Sequence, residues 1–173
     1  MAYAQFSDGM VFLFRHRLDN SSRLIRDTHK VLMSGVRGEN KYPSEFRKSQ
    51  NWIGGASPID AVFVPPVIGD ILDLISGIEN FIHNPVCDFP DLIKIALIHY
   101  QFETIHPFND GNGRVGRLLI TLYLVSKGIL KRPILYLFDY LESHRCIYYD
   151  KIMGVRFGDN VADLVKFFLK DIY

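Results

Sequence analysis

With 173 residues, 48% of them hydrophobic, the chain has the size and apolar content of one globular domain with a sizeable core, and no room for a second. Its charges nearly cancel, 20 Lys and Arg against 19 Asp and Glu, which gives no electrostatic case for a nucleic acid or an anionic membrane as main partner. The strongest apolar run, 118–125, is far shorter than the ~18 residues of a membrane span, the N-terminus lacks a basic leader, and Cys87 and Cys146 read as free thiols in a reducing, cytoplasmic setting.

In chain order, Phe6, Met10, Phe12, Leu13 and Phe14 give an approximate helical stripe, an N-terminal extension over 1–19 that Arg15-His16-Arg17 brings to a stop. Ser21 or Ser22 caps a helix over 21–33, in which Leu24, Ile25, Thr28, Val31 and Leu32 recur at helical spacing. His29 on it reads as half-buried or solvent-facing, and Arg23, Arg26 and Lys30 as a solvated face. Gly35, Gly38, Asn40 and Pro43 mark a loop. Residues 46–64 then read as a β-hairpin, with Gly54-Gly55 and Ser57-Pro58 as turn signals, Ala61-Val62-Phe63-Val64 as the return run and Pro65-Pro66 as its end. A lone hairpin is marginally stable, so it must lean on helices, and one edge stays open to pair with another chain.

Residues 68–81 predict an amphipathic helix ended by His83-Asn84-Pro85. Pro90 at N1 opens a helix over 91–104 that is apolar nearly all round and therefore central. His99 within it reads as a hydrogen-bonded core histidine, since a zinc site lacks its third ligand. A second buried helix runs over 113–127, with Gly128 as its stop. Segments at 134–140, 142–155 and 161–169 complete a mainly α chain without repeats or linkers.

Between the two buried helices lies His106-Pro107-Phe108-Asn109-Asp110-Gly111-Asn112-Gly113-Arg114-Val115-Gly116-Arg117, a mixture no core-building segment needs. The imidazole of His106 can take a proton from a hydroxyl. Asp110 offers hard oxygens to one Mg²⁺ completed by phosphates. Gly111 and Gly113 let backbone approach an anion at the start of a helix, and Arg114 and Arg117, one turn apart, can clamp outer phosphates. Base, metal ligand, cradle and clamp together indicate phosphoryl or nucleotidyl transfer. Gly111-x-Gly113-x-x-Gly116 matches the dinucleotide-binding pattern only literally, because what precedes it is helical and not a strand.

At these residues the chain resembles the Fic family, whose motif runs His-Pro-Phe-x-Asp/Glu-Gly-Asn-Gly-Arg-x-x-Arg; every fixed position is present. The likeness extends to Phe46-Arg47-Lys48-Ser49-Gln50-Asn51-Trp52-Ile53-Gly54-Gly55 upstream and Tyr148-Tyr149-Asp150 downstream. Two departures are Ser44, where relatives often have glycine, and Phe138, in place of a small polar residue.

The resemblance implies a single compact helical bundle with a small β-hairpin flap beside the active-site loop, and transfer of AMP from ATP to a Tyr, Ser or Thr hydroxyl of a target protein. It implies His106 as general base and Asp110 as ligand of Mg²⁺. Gly111, Asn112 and Gly113 become an anion cradle, Asn112 acting with its side chain, and Arg114 and Arg117 hold the β- and γ-phosphates. It implies a flap in which Gln50, Asn51, Trp52, Ile53, Val62 and Phe63 hold the target by strand addition. Phe108 anchors the loop. Tyr148 and Tyr149 are candidates for bordering the adenine, with an ordinary core role equally open. Rival readings are another nucleotide donor, removal of AMP, or a non-catalytic module that binds peptides at the hairpin edge.

Many relatives carry an inhibitory helix with the pattern Ser/Thr-x-x-x-Glu-Gly/Asn. Ser34 to Glu39-Asn40 is spaced one residue too far for it and Ser76 to Glu79-Asn80 one too close. The expectation is therefore a chain that is not self-inhibited, its inhibitory glutamate supplied by a missing helix or by an antitoxin-like partner. An open hairpin edge and apolar helix faces would also allow a homodimer.

Overall fold

Two helices that are apolar on nearly every face have to be covered on every side, and that requirement sets the architecture. The computed structural model describes residues 21–33, 42–86, 88–130, 140–141 and 143–172. Among them are six α-helices: α1 (Ser21–Met33), α2 (Ile71–His83), α3 (Asp91–Ile105), α4 (Asn112–Ser126), α5 (Arg145–Gly158) and α6 (Val161–Ile172), with one 3-10 turn, Ile68–Asp70, leading into α2.

The centre is α3 against α4. Helix α3 buries Ile95, Ala96, Ile98, Phe102 and Ile105 together with His99 and Glu103, and α4 is buried without interruption over 118–125. The Tyr123 hydroxyl donates to Asp91 Oδ1 at 2.6 Å, tying the end of α4 to the start of α3, so the pair runs antiparallel and is joined by the short loop 106–111. Helix α1 covers α4 and α2, α2 and α6 cover α3, and α5 packs on α6. Each large aliphatic side chain buried this way stabilises the fold by about 1.5–3 kcal/mol.

Close approach of the two central helices depends on Gly116. A Cβ there would run into Glu103 Oε1 and stand 3.1 Å from His99 Cε1, both on α3 and both buried. Gly116→Ala gains about 1 kcal/mol of helix propensity, yet overpacking costs about 1–3 kcal/mol. We expect a lower urea midpoint with an unchanged slope; an unchanged or higher midpoint would show that the Glu103 side chain can move aside.

The helices expected at 21–33, 68–81, 91–104, 113–127, 142–155 and 161–169 are all present, with ends shifted by a few residues. Pro90 stands at the N-cap of α3, one position ahead of the expected N1. The extension 1–19, Cys87, and the segment 134–140 except Tyr140 lie outside the described residues, whereas Cys146 is an exposed free thiol. Among the described residues no helix is long and apolar enough to cross a membrane.

The hairpin is the main correction. Among the described residues there is no strand; the two segments meet in a single antiparallel bridge, Ile53 with Phe63, closed by Ile53 N–H to Phe63 O at 2.9 Å and Val62 N–H to Ile53 O at 2.9 Å. Side chains take the groups a longer ladder would use. Gln50 Nε2 donates to Pro65 O at 2.9 Å, the Arg47 guanidinium to Pro66 O, and the amides of Ala56 and Ser57 donate to the Asp60 carboxylate at 2.8 and 2.7 Å. Pro65 and Pro66 have no N–H to offer, so pairing stops there.

Candidate active site

The loop between α3 and α4 is held by its backbone. His106 caps α3 in the left-handed region, φ 49° and ψ 58°, which is uncommon for a residue with a Cβ and persists only where surroundings impose it. Its carbonyl accepts from Arg47 Nε at 3.1 Å and Asn51 Nδ2 at 3.3 Å, and Pro107 O accepts from the Arg47 amide at 2.8 Å. The buried Asn112 side chain grips Phe108 at both ends, Oδ1 accepting its N–H at 2.8 Å and Nδ2 donating to its carbonyl at 2.7 Å. The Phe108 ring is fully buried, stacked on His29 with centroids 3.8 Å apart.

His29 finishes the clamp. The Ser44 amide donates to its Nδ1 at 3.0 Å, which makes Nδ1 the acceptor and leaves Nε2–H to donate to Asp110 O at 3.1 Å. Burial lowers its pKa, in keeping with that neutral tautomer. Ser44 reaches His29 through φ 72°, a left-handed backbone, which accounts physically for the preference for glycine at its position.

The loop delivers two things to one place. One is the His106 imidazole, whose side chain is 21% exposed. Burial holds it at about 4, against the pull of the Glu103 backbone and with help from the positive charges of Arg156 and Arg47, so it is neutral at physiological pH. The other is the first turn of α4. Gly111 is its N-cap at φ 82°, and no side chain caps the turn, so N–H groups there face outward with the positive end of the helix dipole. Gly113 is only partly covered. Arg114 is exposed, with NH2 3.9 Å from Asp110 Oδ2, and Arg117 is half-buried one turn on. Asp110 Oδ1 accepts the Gly111 amide at 2.7 Å, and its side chain is partly exposed.

Not every expected residue faces this place. The Asn112 side chain is occupied by Phe108, so only its backbone N–H belongs to the uncapped turn. In the bridge segment Gln50 and Asn51 turn inward to backbone carbonyls, Ile53 and Phe63 pair, and Trp52 and Val62 stay exposed. Tyr148 is buried, with its hydroxyl 2.7 Å from His99 Nε2, which is the core role and leaves no open face for a base. Tyr149 is half-buried beneath Arg145, whose guanidinium lies 5.6 Å from its ring centre.

Four supporting residues have no role in the sequence reading. Arg47 is 1% exposed and ties the loop to the bridge segment; Arg156 lies 3.5 Å over the Phe63 ring and donates to Glu103 O at 3.3 Å. His29 is buried, not half-exposed, and Glu103 lies beneath His106. Of these only His29 had a readable signal: it is four residues from Ile25 and from Met33, on the apolar face of α1.

Residues 19–124 match the Fic/DOC family. The chain is similar to the protein adenylyltransferase Fic of Aedes aegypti, 34% identical over 124 residues that cover 71% of this chain and 22% of that protein. It is also similar to a probable protein adenylyltransferase of Aquifex aeolicus (strain VF5), 43% identical over 89 residues, 51% of this chain and 26% of that protein. It spans well under half the length of these relatives. A crystal structure of a Fic family protein from Desulfovibrio desulfuricans G20 superposes with a TM-score of 0.77 at 22% identity, covering 95% of this chain and 48% of that one, which speaks for the fold. With a match that takes in more than half of its length and the whole loop from His106 to Arg117, the chain belongs to the Fic/DOC family.

Proposed function

We propose that the chain is a protein adenylyltransferase, moving AMP from ATP to a hydroxyl of a target protein. The observation that carries the reading is a neutral, fixed imidazole at the end of one buried helix, joined by a five-residue clamp to the uncapped first turn of the next. A base and an anion-binding helix end on one rigid loop are the parts this reaction needs. The names of the mosquito and Aquifex relatives point the same way.

In this reaction His106 takes the proton of the target hydroxyl, and the oxygen bonds to the α-phosphorus as the bond from that phosphorus to the bridging oxygen breaks. Pyrophosphate leaves. The amides at the start of α4 hold developing negative charge, and Arg114 and Arg117 hold the outer phosphates. Asp110 suits Mg²⁺: a single, partly exposed carboxylate is the kind of ligand that ion takes when phosphates complete its shell. Bound there, Mg²⁺ would neutralise charge on the phosphates. The target backbone would lie along the exposed Trp52 and Val62 side of the bridge. A carboxylate from another segment or a partner, paired with Arg117, would close the γ-phosphate position and inhibit.

The test uses purified chain, Mg²⁺, cell lysate and ATP labelled at the α-phosphate, beside γ-labelled ATP. Label on protein from the α-position alone is the expected result. Label from the γ-position would mean kinase chemistry, and none from either would refute ATP as donor.

A further inference from the structure

Beneath His106 sits a carboxyl group that the transfer reaction as written does not use. Glu103 lies one helical turn before His106 on α3 and is 5% exposed. Its Oε2 is 3.9 Å from His106 Nδ1, and neither that Nδ1 nor Glu103 Oε1 makes a well-formed hydrogen bond among the described residues, the Glu103 carbonyl being the ring's other nearby acceptor. Buried polar atoms without partners are rare, and each costs about 1–3 kcal/mol. Here Nδ1 faces the carboxyl through its other oxygen, Oε2, across a gap that a movement of roughly 1 Å at either side chain would close to hydrogen-bond length.

The carboxyl is closely surrounded. Gly116 of α4 presses on Oε1, leaving no room even for a methyl group. Arg117 of α4 and Arg156 of α5 bear on it electrostatically, and Arg156 holds the α3 end itself, donating to Glu103 O at 3.3 Å and Thr104 Oγ1 at 3.4 Å. Tyr148 of α5 faces it, and its hydroxyl is already engaged with His99.

We propose that Glu103 is a positioning residue for His106: its carboxyl accepts the Nδ1 proton of the imidazole and so leaves a bare Nε2 turned toward the target hydroxyl. The inference rests on the reading of His106 as general base. During transfer the hydroxyl proton moves to Nε2, the Nδ1 proton stays on the ring, and no proton passes to Glu103. The carboxylate stabilises the imidazolium that forms and holds the ring in one tautomer, the part a carboxylate plays beside a histidine base in general. Burial raises the Glu103 carboxyl to about 7, with Arg117 and Arg156 pulling the other way, so the ionised form predominates only on the alkaline side of neutrality.

The ring tautomer can be read without substrate, by long-range proton–nitrogen correlation on ¹⁵N-labelled protein at about pH 8, where unperturbed imidazoles are neutral. The expected spectrum shows His106 with a protonated Nδ1 and a bare Nε2. In Glu103→Ala that signal relaxes to a mixture of tautomers, while Glu103→Gln, whose amide oxygen still accepts, keeps it. In the transfer assay kcat falls about 10- to 100-fold in Glu103→Ala and about tenfold in Glu103→Gln, with the KM for ATP within about twofold, as expected when support for a general base is lost. A His106 carrying its proton on Nε2 in the wild type, or an unchanged tautomer in Glu103→Ala, would overturn the proposal; if the alanine variant does not fold, the wild-type spectrum and the glutamine variant decide. Because the spectrum involves no ATP, a chain with bare Nε2 and no AMP transfer would refute the function and leave the pairing standing.

Discussion

Replacement of His106 by alanine should abolish AMP transfer, by at least about 100-fold, the lower end of what a positioned general base contributes. Binding of ATP should survive, since the phosphates are assigned to the α4 turn and its arginines and not to the imidazole. His106 holds a left-handed backbone that alanine tolerates poorly, so a loss in His106→Ala alone could come from a shifted loop. His106→Asn controls for this, because asparagine visits that region readily; it should keep the thermal midpoint near wild type and remain as inactive as the alanine variant. Wild-type-like transfer by either variant would remove His106 from the reaction.

The pH dependence follows from the same burial. A general base works only when deprotonated, and activity is lost as pH falls through its pKa. With His106 held at about 4 in place of the ordinary 6.5, the acid limb that belongs to the imidazole should lie well below pH 6.5, preceded by a shallower, about tenfold fall near pH 7 as Glu103 takes up its proton. Stability has its own window. His99 and His106 are both held near 4 by burial, so each favours the folded state above the unfolded value of 6.5, and that contribution is lost as pH falls from there toward 4. A full loss of activity centred on 6.5 in wild type and in Glu103→Gln alike, with the fold intact, would mean that the ring is more solvated than the structure shows.

How much of this could be read from residues alone depended on whether a signal was local. The central helices announce themselves because α3 and α4 are apolar on most faces over a dozen residues each, a pattern only full burial explains. The loop was legible because its chemistry is compressed into consecutive positions. Arg47 and Arg156 were not, because an arginine that spends its donors on distant carbonyls looks the same in sequence as one in solvent; Arg47 reaches residues 106 and 66, Arg156 reaches 103. The hairpin was overread for a related reason. The turn signals at 54–58 and the apolar run 61–64 are genuine, and Ile53 with Phe63 does pair, but Gln50, Arg47 and Asp60 divert the neighbouring backbone groups to side-chain bonds that no local pattern encodes.

The asparagine of the loop allows stability and phosphate binding to be separated. Asn112 is 2% exposed and satisfies both backbone groups of Phe108. In Asn112→Ala the Phe108 amide is left buried and unpaired, while its carbonyl keeps only Asn51 at 3.2 Å. At about 1–3 kcal/mol for the one unsatisfied group, the expected loss is about 1–3 kcal/mol of folding free energy, seen as a lower urea midpoint. Asn112→Asp behaves differently. Its carboxylate can still accept the Phe108 N–H and is favoured by the helix dipole. But its second oxygen meets the Phe108 carbonyl to which Asn112 Nδ2 donates at 2.7 Å, and the charge is buried, so it should be no more stable than the alanine variant. The same charge lies buried behind the turn where the triphosphate is to bind. Two like charges about 8 Å apart, on either side of the turn, cost about 2 kcal/mol at an effective dielectric constant of about 20, so ATP affinity measured by calorimetry should fall by about tenfold or more, below that of Asn112→Ala. If Asn112→Asp bound ATP as well as wild type, the α4 turn would not be the phosphate site, and the nucleotide reading of the loop would fail with it.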